Sequence, residues 1–212
     1  TMFIAMLGHP DFAKTDKSSL RTGTIGGSPC PIEVMKRLVT DFHIPEVQII
    51  YGMTETSPIS CQTASDDPIE KRVGSVGRVH PHVEIRIANP ETGETCEYGE
   101  TGEFQTRGYS VMLGYWNDKA RTEDAIDSEG WMHTGDLGTM DELGYVNIVG
   151  RIKDMIIRGG ENVYPTEIEG FLYVDVVTEY PMTVTGKIRK VEMRAQAVKK
   201  FGLEKAASVQ TA

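Results

Sequence analysis

The five residues Tyr51, Gly52, Met53, Thr54 and Glu55 combine groups that could bind a nucleotide together with its metal. The Tyr51 ring can stack on a base, and the glycine lets a ligand approach the backbone. The Thr54 hydroxyl suits a phosphate, and the Glu55 carboxylate suits a hard cation such as Mg²⁺. A plain surface turn after a strand accounts for these residues equally well, so the string alone leaves both interpretations open.

Two other strings place a polar group beside glycine. Asp136 follows Gly135, and an aspartate at a strand end can accept hydrogen bonds from both hydroxyls of a ribose. Lys187 follows Gly186, and a turn there could deliver its ammonium group to an anionic intermediate. Taken singly, the first string is also typical of an Asp turn and the second of a solvated basic turn.

Two predicted strands must position the first string. Residues 47–50 form a short apolar, β-branched run that indicates a buried strand of a parallel sheet, and residues 20–25 indicate a second strand. Between them, apolar residues at helical spacing predict a helix opened by Pro31. Its apolar face comprises Ile32, Met35, Leu38, Val39 and Phe42. Such a unit favours adjacent parallel strands, so Gly26-Gly27-Ser28 at one strand end would lie beside Tyr51 at the other.

Outside this unit the chain shows other patterns of apolar residues. Residues 1–7, apolar nearly throughout, predict a buried helix. From Val73 onward, short alternating runs over residues 83–87, 102–107 and 145–149, with a short helix over residues 119–126, predict a small antiparallel β-barrel or sandwich. We therefore expect an α/β part over residues 1–70, a barrel-like part over residues 71–150, and a truncated α+β domain over residues 151–212.

Composition narrows the classes of function. The chain has 212 residues, 39% hydrophobic and 25% charged, which is typical of globular domains. Its net charge of −9 and the lack of a basic stripe argue against a nucleic-acid partner. Three widely spaced cysteines, Cys30, Cys61 and Cys96, predict free thiols in a reducing compartment, the cytoplasm. No run of residues is long and apolar enough to predict a transmembrane segment.

In combination, the strings resemble a known family. They are Gly26-Gly27-Ser28-Pro29, Tyr51 to Glu55, Gly102-Glu103-Phe104 with Gly108, Thr134-Gly135-Asp136, Gly150 to Asp154 with Gly159 to Asn162, and Gly186-Lys187. They occur in the order found in AMP-forming acyl-CoA synthetases of the adenylate-forming superfamily. The sequence around Thr54 and Gly159 looks most like that of medium- to long-chain fatty-acid ligases.

The resemblance implies an ATP- and Mg²⁺-dependent ligase that joins a fatty acid to coenzyme A through an acyl-adenylate. For the nucleotide, it implies that Tyr51 stacks on adenine, Thr54 meets the α-phosphate and Glu55 holds Mg²⁺. Asp136 and Arg151 would hold the ribose. The adenine and acyl side would be lined by Gly26, Gly27, Ser28, Gly52 and Met53.

The resemblance also implies roles toward the end of the chain. Lys153 would be the hinge about which a small C-terminal domain rotates. Lys187 would stabilise charge while the fatty carboxylate attacks the α-phosphate. Gly160 would line the pantetheine tunnel when the thiol of coenzyme A displaces AMP.

Two departures from the family pattern are expected to matter. The family's Ser/Thr/Gly-rich phosphate loop, with the first half of the large domain, is missing from this sequence. Near Leu172-Tyr173-Val174, a stretch that forms much of the small domain in the family is missing as well. We therefore expect a partial, catalytically impaired copy of a ligase. The alternative is a non-catalytic nucleotide-binding or interaction fragment that needs a complementing chain or a homo-oligomer.

Overall fold

The computed structural model describes residues 2–28, 30–154, 156–158 and 161–163. Within these ranges the helices are α1 (Met2–Leu7), α2 (Ile32–Thr40), α3 (Ile69–Gly74) and α4 (Lys119–Ala125). The strands are β1 (Thr22–Ile25), β2 (Glu46–Tyr51), β3 (Cys61–Gln62), β4 (Arg78–Val79), β5 (Val83–Ala88), β6 (Gly102–Gly108), β7 (Met132–Met140), β8 (Val146–Arg151), β9 (Ile156–Arg158) and β10 (Glu161–Val163).

The first sheet contains the predicted strand, helix, strand unit. Strands β1 and β2 are parallel, with Ile25 opposite Ile49, and α2 connects them. Strands β3 and β4 extend the sheet in antiparallel fashion in the order β1-β2-β3-β4, so only part of the sheet is parallel. The core under α2 consists of Met35, Leu38, Phe42, Ile44, Val47 and Ile49. The apolar stripe thus does what its spacing predicts, although Ile32 remains exposed.

The prediction of a buried helix over residues 1–7 is wrong in its burial. Helix α1 forms, but none of its residues is buried, and Met2, Ile4 and Met6 are exposed. Only Phe3 and Leu7 pack against the core of α2, with the Phe3 ring edge-on to Phe42 at a centroid distance of 5.6 Å. A six-residue helix has fewer than two turns, so one face meets the core while the other apolar side chains point to solvent.

The second sheet is antiparallel, with the order β5-β6-β7-β8. Three of its strands, β5, β6 and β8, confirm the sequence-predicted runs, and α4 lies where the short helix was expected. Strand β7 was not among those runs. Among the described residues β5 and β8 remain the edges of this sheet, so it is open, and the predicted closure into a barrel or sandwich is not confirmed. Register shifts at Glu103/Gln105 and at Leu137/Gly138 bend the central strands.

The two sheets share a core and backbone hydrogen bonds. Val76 N–H donates to Val146 O, and Val146 N–H donates to Gly77 O, each at 2.9 Å. A buried cluster between the sheets comprises Cys61, Ile87, Phe104 and Val146. The Tyr145 hydroxyl adds a hydrogen bond of 2.6 Å to the buried Asp67 carboxylate. Side chains of the first sheet are therefore held at fixed positions relative to those of the second.

Strand β8 leads into the expected hinge. A 3₁₀ turn covers Ile152–Asp154, and β9 and β10 then pair as an antiparallel hairpin. Lys153 is exposed on that turn, whereas Gly160 and Lys187 lie outside the described residues. The predicted domain boundary at residues 150–151 stays a prediction. None of the described helices combines the length and apolar character needed to cross a membrane.

Candidate functional site

The ends of β1 and β2 lie side by side, as the sequence predicts. A Cβ on Gly26 would lie 2.5 Å from Ile50 Cγ1 and 2.7 Å from Ile50 O, so the two strand ends approach too closely for a side chain there. Gly27 takes a positive φ of 81°, a conformation that glycine adopts without strain. Together with Ser28, these residues form an exposed backbone edge beside Tyr51.

The turn after β2 is built around Gly52 and Thr56. A Cβ on Gly52 would come within 1.8 Å of Pro58 O, so the chain folds back directly against this glycine. The fully buried Thr56 hydroxyl accepts a hydrogen bond from Met53 N–H at 3.1 Å. This internal bracing leaves Thr54 exposed at the start of a single 3₁₀ turn, where its hydroxyl can meet a ligand.

Asp136 connects the two sheets. Its Oδ2 accepts a hydrogen bond of 2.8 Å from the Tyr51 hydroxyl, and its Oδ1 accepts one of 3.0 Å from Arg151 Nε. The Asp136 side chain is 16% exposed and that of Arg151 57%. The structure thus brings together three residues that are separated in sequence and that the sequence analysis assigned to one nucleotide.

The prediction that Asp136 lies at a strand end is wrong. It lies within β7, opposite Arg151 of β8. The strand continues through Gly135, whose φ of +70° disturbs the regular geometry without ending the strand. The Asp136 carboxylate therefore reaches Tyr51 of the other sheet from within a strand and not from a strand end.

The Tyr51 ring is fixed from one side. It packs edge-to-face on Phe104, with ring centroids 4.9 Å apart, in a geometry favoured by aromatic quadrupoles. Burial of the hydroxyl, followed by the nearby Asp136 charge, raises the pKa of Tyr51 well above its usual value. The hydroxyl therefore remains a hydrogen-bond donor to Asp136 throughout the neutral pH range.

A buried carboxylate supports the segment that carries Asp136. Glu103, 5% exposed, accepts a hydrogen bond from Gly135 N–H at 3.0 Å. Its other oxygen accepts from Gln105 Nε2 at 2.7 Å and contacts His133 Nδ1 at 2.8 Å. Because a carboxylate oxygen only accepts, the contact with Glu103 assigns a proton to His133 Nδ1, and the 3.1 Å approach of Gln105 Nε2 to the same nitrogen is then not a hydrogen bond. Glu103 thereby fixes both residues that flank Thr134.

The supporting role of Glu103 was missed from the sequence. The string Gly102-Glu103-Phe104 was noted as a motif, but no role was given to the carboxylate. A signal was present: Glu103 and Gln105 alternate with apolar Phe104 on a strand that is buried on both faces. Two polar residues at a spacing of two in such a strand indicate a polar network rather than a solvated face.

Glu55 has a partner that was also missed from the sequence. Its Oε1 accepts a hydrogen bond of 2.9 Å from the Tyr115 hydroxyl, and its backbone carbonyl accepts one of 2.8 Å from Met112 N–H. Burial, followed by the hydrogen bond to Glu55, raises the pKa of Tyr115. Sixty residues separate the two side chains, so no local pattern could reveal the contact.

The donor set fits a magnesium ion that is shared with a nucleotide. Within the described residues, no three His, Cys, Asp or Glu side chains gather into a protein-only metal site. Mg²⁺ is usually held by one or two carboxylates together with substrate phosphates and waters. The half-buried Glu55, beside the exposed Thr54, matches that pattern.

Comparison with known proteins identifies the family. The model of the family described as AMP-binding enzyme matches residues 1–116, more than half of the chain. The chain belongs to the AMP-binding enzyme family.

Relatives within this family carry ligase names. YngI of Bacillus subtilis (strain 168), named as an acyl-CoA synthetase, is 41% identical over 258 residues, covering 96% of this chain and 47% of YngI. The bovine (Bos taurus) medium-chain acyl-CoA ligase ACSF2, mitochondrial, is 38% identical, covering 92% of this chain and 41% of the relative. This chain thus spans less than half the length of either. Because the YngI alignment exceeds the 212 residues of this chain, YngI carries residues inside the aligned span that this chain lacks.

Solved structures of the family share the fold. ATP-bound MatB from Rhodopseudomonas palustris superimposes with a TM-score of 0.76 at 26% identity, covering 92% of this chain and 49% of MatB. The o-succinylbenzoate CoA synthetase MenE of Bacillus subtilis, in complex with its acyl-adenylate, gives a TM-score of 0.67 at 33% identity, covering 79% of this chain and 33% of MenE. The mixed α/β architecture is therefore that of adenylate-forming enzymes.

Proposed function

We propose that this chain forms the adenylate-binding part of an AMP-forming acid–thiol ligase that activates a medium- to long-chain fatty acid for transfer to coenzyme A. The observation that carries the proposal is the Asp136 carboxylate, held between Tyr51 of the first sheet and Arg151 of the second. A half-buried aspartate fixed in this way can accept hydrogen bonds from both hydroxyls of a ribose. The names of the relatives support the reaction class, and the bovine name, medium-chain acyl-CoA ligase, supports a medium acyl chain.

The residues act by positioning and by stabilising charge. The Tyr51 ring, fixed by Phe104, would stack on adenine, while Gly26, Gly27, Ser28, Gly52 and Met53 line the adenine and acyl side. Asp136 and Arg151 would hold the ribose. With the sugar held, the α-phosphate would lie against the Thr54 hydroxyl, oriented for attack by a fatty carboxylate.

Glu55 would hold Mg²⁺ together with the phosphates of ATP. When bound, the cation neutralises charge on the phosphate oxygens as pyrophosphate leaves. Lys187 would add an ammonium group toward the same charge, and Lys153 would be the hinge that brings it there. Gly160 would then admit the pantetheine arm of coenzyme A.

We further propose that the chain alone forms acyl-adenylate slowly. The sequence contains no Ser/Thr/Gly-rich loop of the kind that binds the β- and γ-phosphates in this family, so those phosphates would lack backbone donors. Adenosine and the α-phosphate would still bind. The expected signature is therefore tight binding of an acyl-adenylate with weak binding of ATP.

Isothermal titration with a nonhydrolysable acyl-sulfamoyl adenosine tests the proposal. Asp136→Asn should weaken binding at least about tenfold, because one charged hydrogen-bond acceptor for the ribose and for Arg151 is lost. Asp124→Asn is the matched control, since it makes the same exchange at an exposed position on α4, outside the strings of the site. A well-folded wild-type chain that does not bind the analogue, or equal affinity of wild type and Asp136→Asn, would refute the proposal.

A second candidate is an interaction module that needs a partner chain. It is favoured by the large apolar side chains that the second sheet and its loops expose, namely Tyr109, Leu113, Trp116 and Leu143. Size-exclusion chromatography with light scattering separates this candidate from the first. A complementing chain or a homo-oligomer gives a mass above 23.5 kDa, whereas a monomer that binds the adenylate favours the ligase site alone.

The cytoplasmic location stays a prediction from the three free thiols. Burial raises the pKa of Cys61 to about 12, so this thiol remains protonated and unreactive at neutral pH.

A further inference from the structure

The loop between β6 and α4, residues 109–118, is tied to the turn that carries Glu55. Met112 N–H donates to the Glu55 carbonyl, and the Tyr115 hydroxyl donates to Glu55 Oε1. Apolar packing does not explain the attachment, because Trp116 is 92% exposed and Leu113 is fully exposed. Both polar contacts are made to Glu55, one to its backbone carbonyl and one to the carboxylate that is proposed to hold the cation.

Residues of α4 contact Tyr115 through its backbone and its ring. Its backbone N–H donates to Thr122 Oγ1 at 2.9 Å, and the Arg121 guanidinium lies 4.3 Å from the centre of its ring. Gly114 has a φ of +148°, and a Cβ there would lie 2.8 Å from Thr122 Cγ2. Helix α4, capped by the Asp118 carboxylate, therefore determines where the Tyr115 hydroxyl lies.

The contact leaves the two oxygens of Glu55 unequal. Oε1 is occupied by the Tyr115 hydroxyl, whereas Oε2 has no hydrogen-bond or ion-pair partner among the described residues. A free glutamate side chain loses rotamer freedom when a ligand fixes it. A donor already in place reduces that loss, and carboxylates that bind metals are commonly hydrogen-bonded in this way.

We propose that Tyr115 is a positioning residue for the cation site: it holds Glu55 through Oε1 and leaves Oε2 as the oxygen available to Mg²⁺. The inference rests on the proposed function of Glu55 and adds a residue to it. Tyr115 touches neither nucleotide nor metal in this scheme, so it acts only through the carboxylate.

The test compares the affinity for α,β-methylene-ATP with Mg²⁺ and with EDTA by isothermal titration. We expect Tyr115→Phe, which keeps the ring under Arg121, to lower the Mg²⁺-dependent gain in affinity about tenfold and to leave the affinity in EDTA unchanged. Tyr145→Phe is the matched control, because it removes another tyrosine hydroxyl from another carboxylate, Asp67, away from the turn. The control should retain the full gain.

A double-mutant cycle with Glu55→Gln makes the inference specific. If Tyr115 acts through Glu55, Tyr115→Phe has no further effect in the Glu55→Gln background. The inference is overturned if Tyr115→Phe lowers the Mg²⁺-dependent gain in affinity as much in the Glu55→Gln background as in wild type. It is also overturned if Tyr115→Phe alone retains the full gain. If Tyr115→Phe folds poorly, Thr122→Val can replace it, because it removes the acceptor of the Tyr115 backbone N–H. This variant should also lower the Mg²⁺-dependent gain in affinity, to a smaller extent.

Two further outcomes separate this inference from the proposed function. A wild-type chain that binds the analogue equally with Mg²⁺ and with EDTA overturns the role of Tyr115 and leaves nucleotide binding standing. A wild-type chain that binds neither the analogue nor the acyl-sulfamoyl adenosine refutes the proposed function and this inference with it.

Discussion

The substitution Glu103→Gln should damage both stability and adenylate binding. Glu103 lies buried beneath Gly135, and its two oxygens accept from Gly135 N–H, Gln105 Nε2 and His133 Nδ1. A glutamine at this position retains one acceptor oxygen and gains an NH₂ group. Whichever way the amide points, its NH₂ faces a donor, either the Gly135 amide or the pair Gln105 and His133.

The magnitude follows from two losses. A hydrogen bond to a charged group contributes about 1.5–3 kcal/mol, and a buried donor left without an acceptor costs about 1–3 kcal/mol. Relaxation of the neighbours offsets part of this, so we expect the free energy of unfolding to fall by about 2–4 kcal/mol. Because the Gly135 amide fixes the backbone before Asp136, adenylate affinity should fall about tenfold in protein that remains folded.

Urea denaturation measures the first effect and titration with the acyl-sulfamoyl adenosine the second. Glu84→Gln is the matched control: Glu84 lies on the neighbouring strand β5, but it is exposed and pairs with Arg107 at 2.6 Å. Exposed ion pairs contribute little, so the control should differ from wild type only slightly. If Glu103→Gln were as stable as Glu84→Gln and bound the adenylate equally well, the supporting role of the buried carboxylate would be refuted.

Three further outcomes are expected. Lys187→Ala should remove most acyl-adenylate formation and leave thioester formation from preformed adenylate largely intact, as measured by the two half-reactions separately; equal loss in both contradicts its assigned role. Gly52→Ala should destabilise the chain by at least about 2 kcal/mol, because its Cβ meets a backbone oxygen at 1.8 Å, whereas Gly23→Ala, with nothing within 4 Å, should not; similar melting temperatures would disprove this. Burial alone would raise the pKa of Asp67, but hydrogen bonds from Tyr145 and a backbone amide outweigh burial and lower that pKa. The ionised Asp67 therefore stabilises the fold above about pH 4, and this stabilisation is lost as the pH falls further. The stability of Asp67→Asn should consequently fall less steeply in acid than that of wild type, and parallel pH profiles of the two proteins would contradict this prediction.

The parallel part of the first sheet, β1 and β2 with α2 between them, could be predicted because its signals are local; β3 and β4 were not predicted. The spacing of Met35, Leu38 and Phe42 predicts α2, and the β-branched run before Tyr51 predicts β2. Parallel pairing followed from the length of the connection, and the approach of the two strand ends followed from the pairing. Helix α1 was wrong in burial because composition alone does not reveal which apolar residues find a partner.

The remainder of the site depends on contacts between distant residues. The hydroxyl of Tyr115 meets Glu55 across 60 positions, and Glu103 meets Gly135 across 32. No periodicity encodes such pairs, so neither contact could be assigned from the sequence, although the alternation around Phe104 indicates that Glu103 belongs to a polar network. Asp136 was assigned correctly to the neighbourhood of Tyr51 through the family resemblance, but its place within a strand required the register of β7 against β8.

The hydrogen bond between Tyr51 and Asp136 joins residues of different sheets, and this has a thermodynamic consequence. A ligand that contacts both side chains can bind only while the two sheets are packed together. Its binding free energy therefore adds to the free energy that stabilises the contact between the sheets. At a concentration one hundred times its Kd, such a ligand raises the unfolding free energy by about 2.7 kcal/mol. Adenylates should therefore raise the melting temperature of this chain. The size of that rise reports how strongly a ribose bound at Asp136 stabilises the contact between the two sheets.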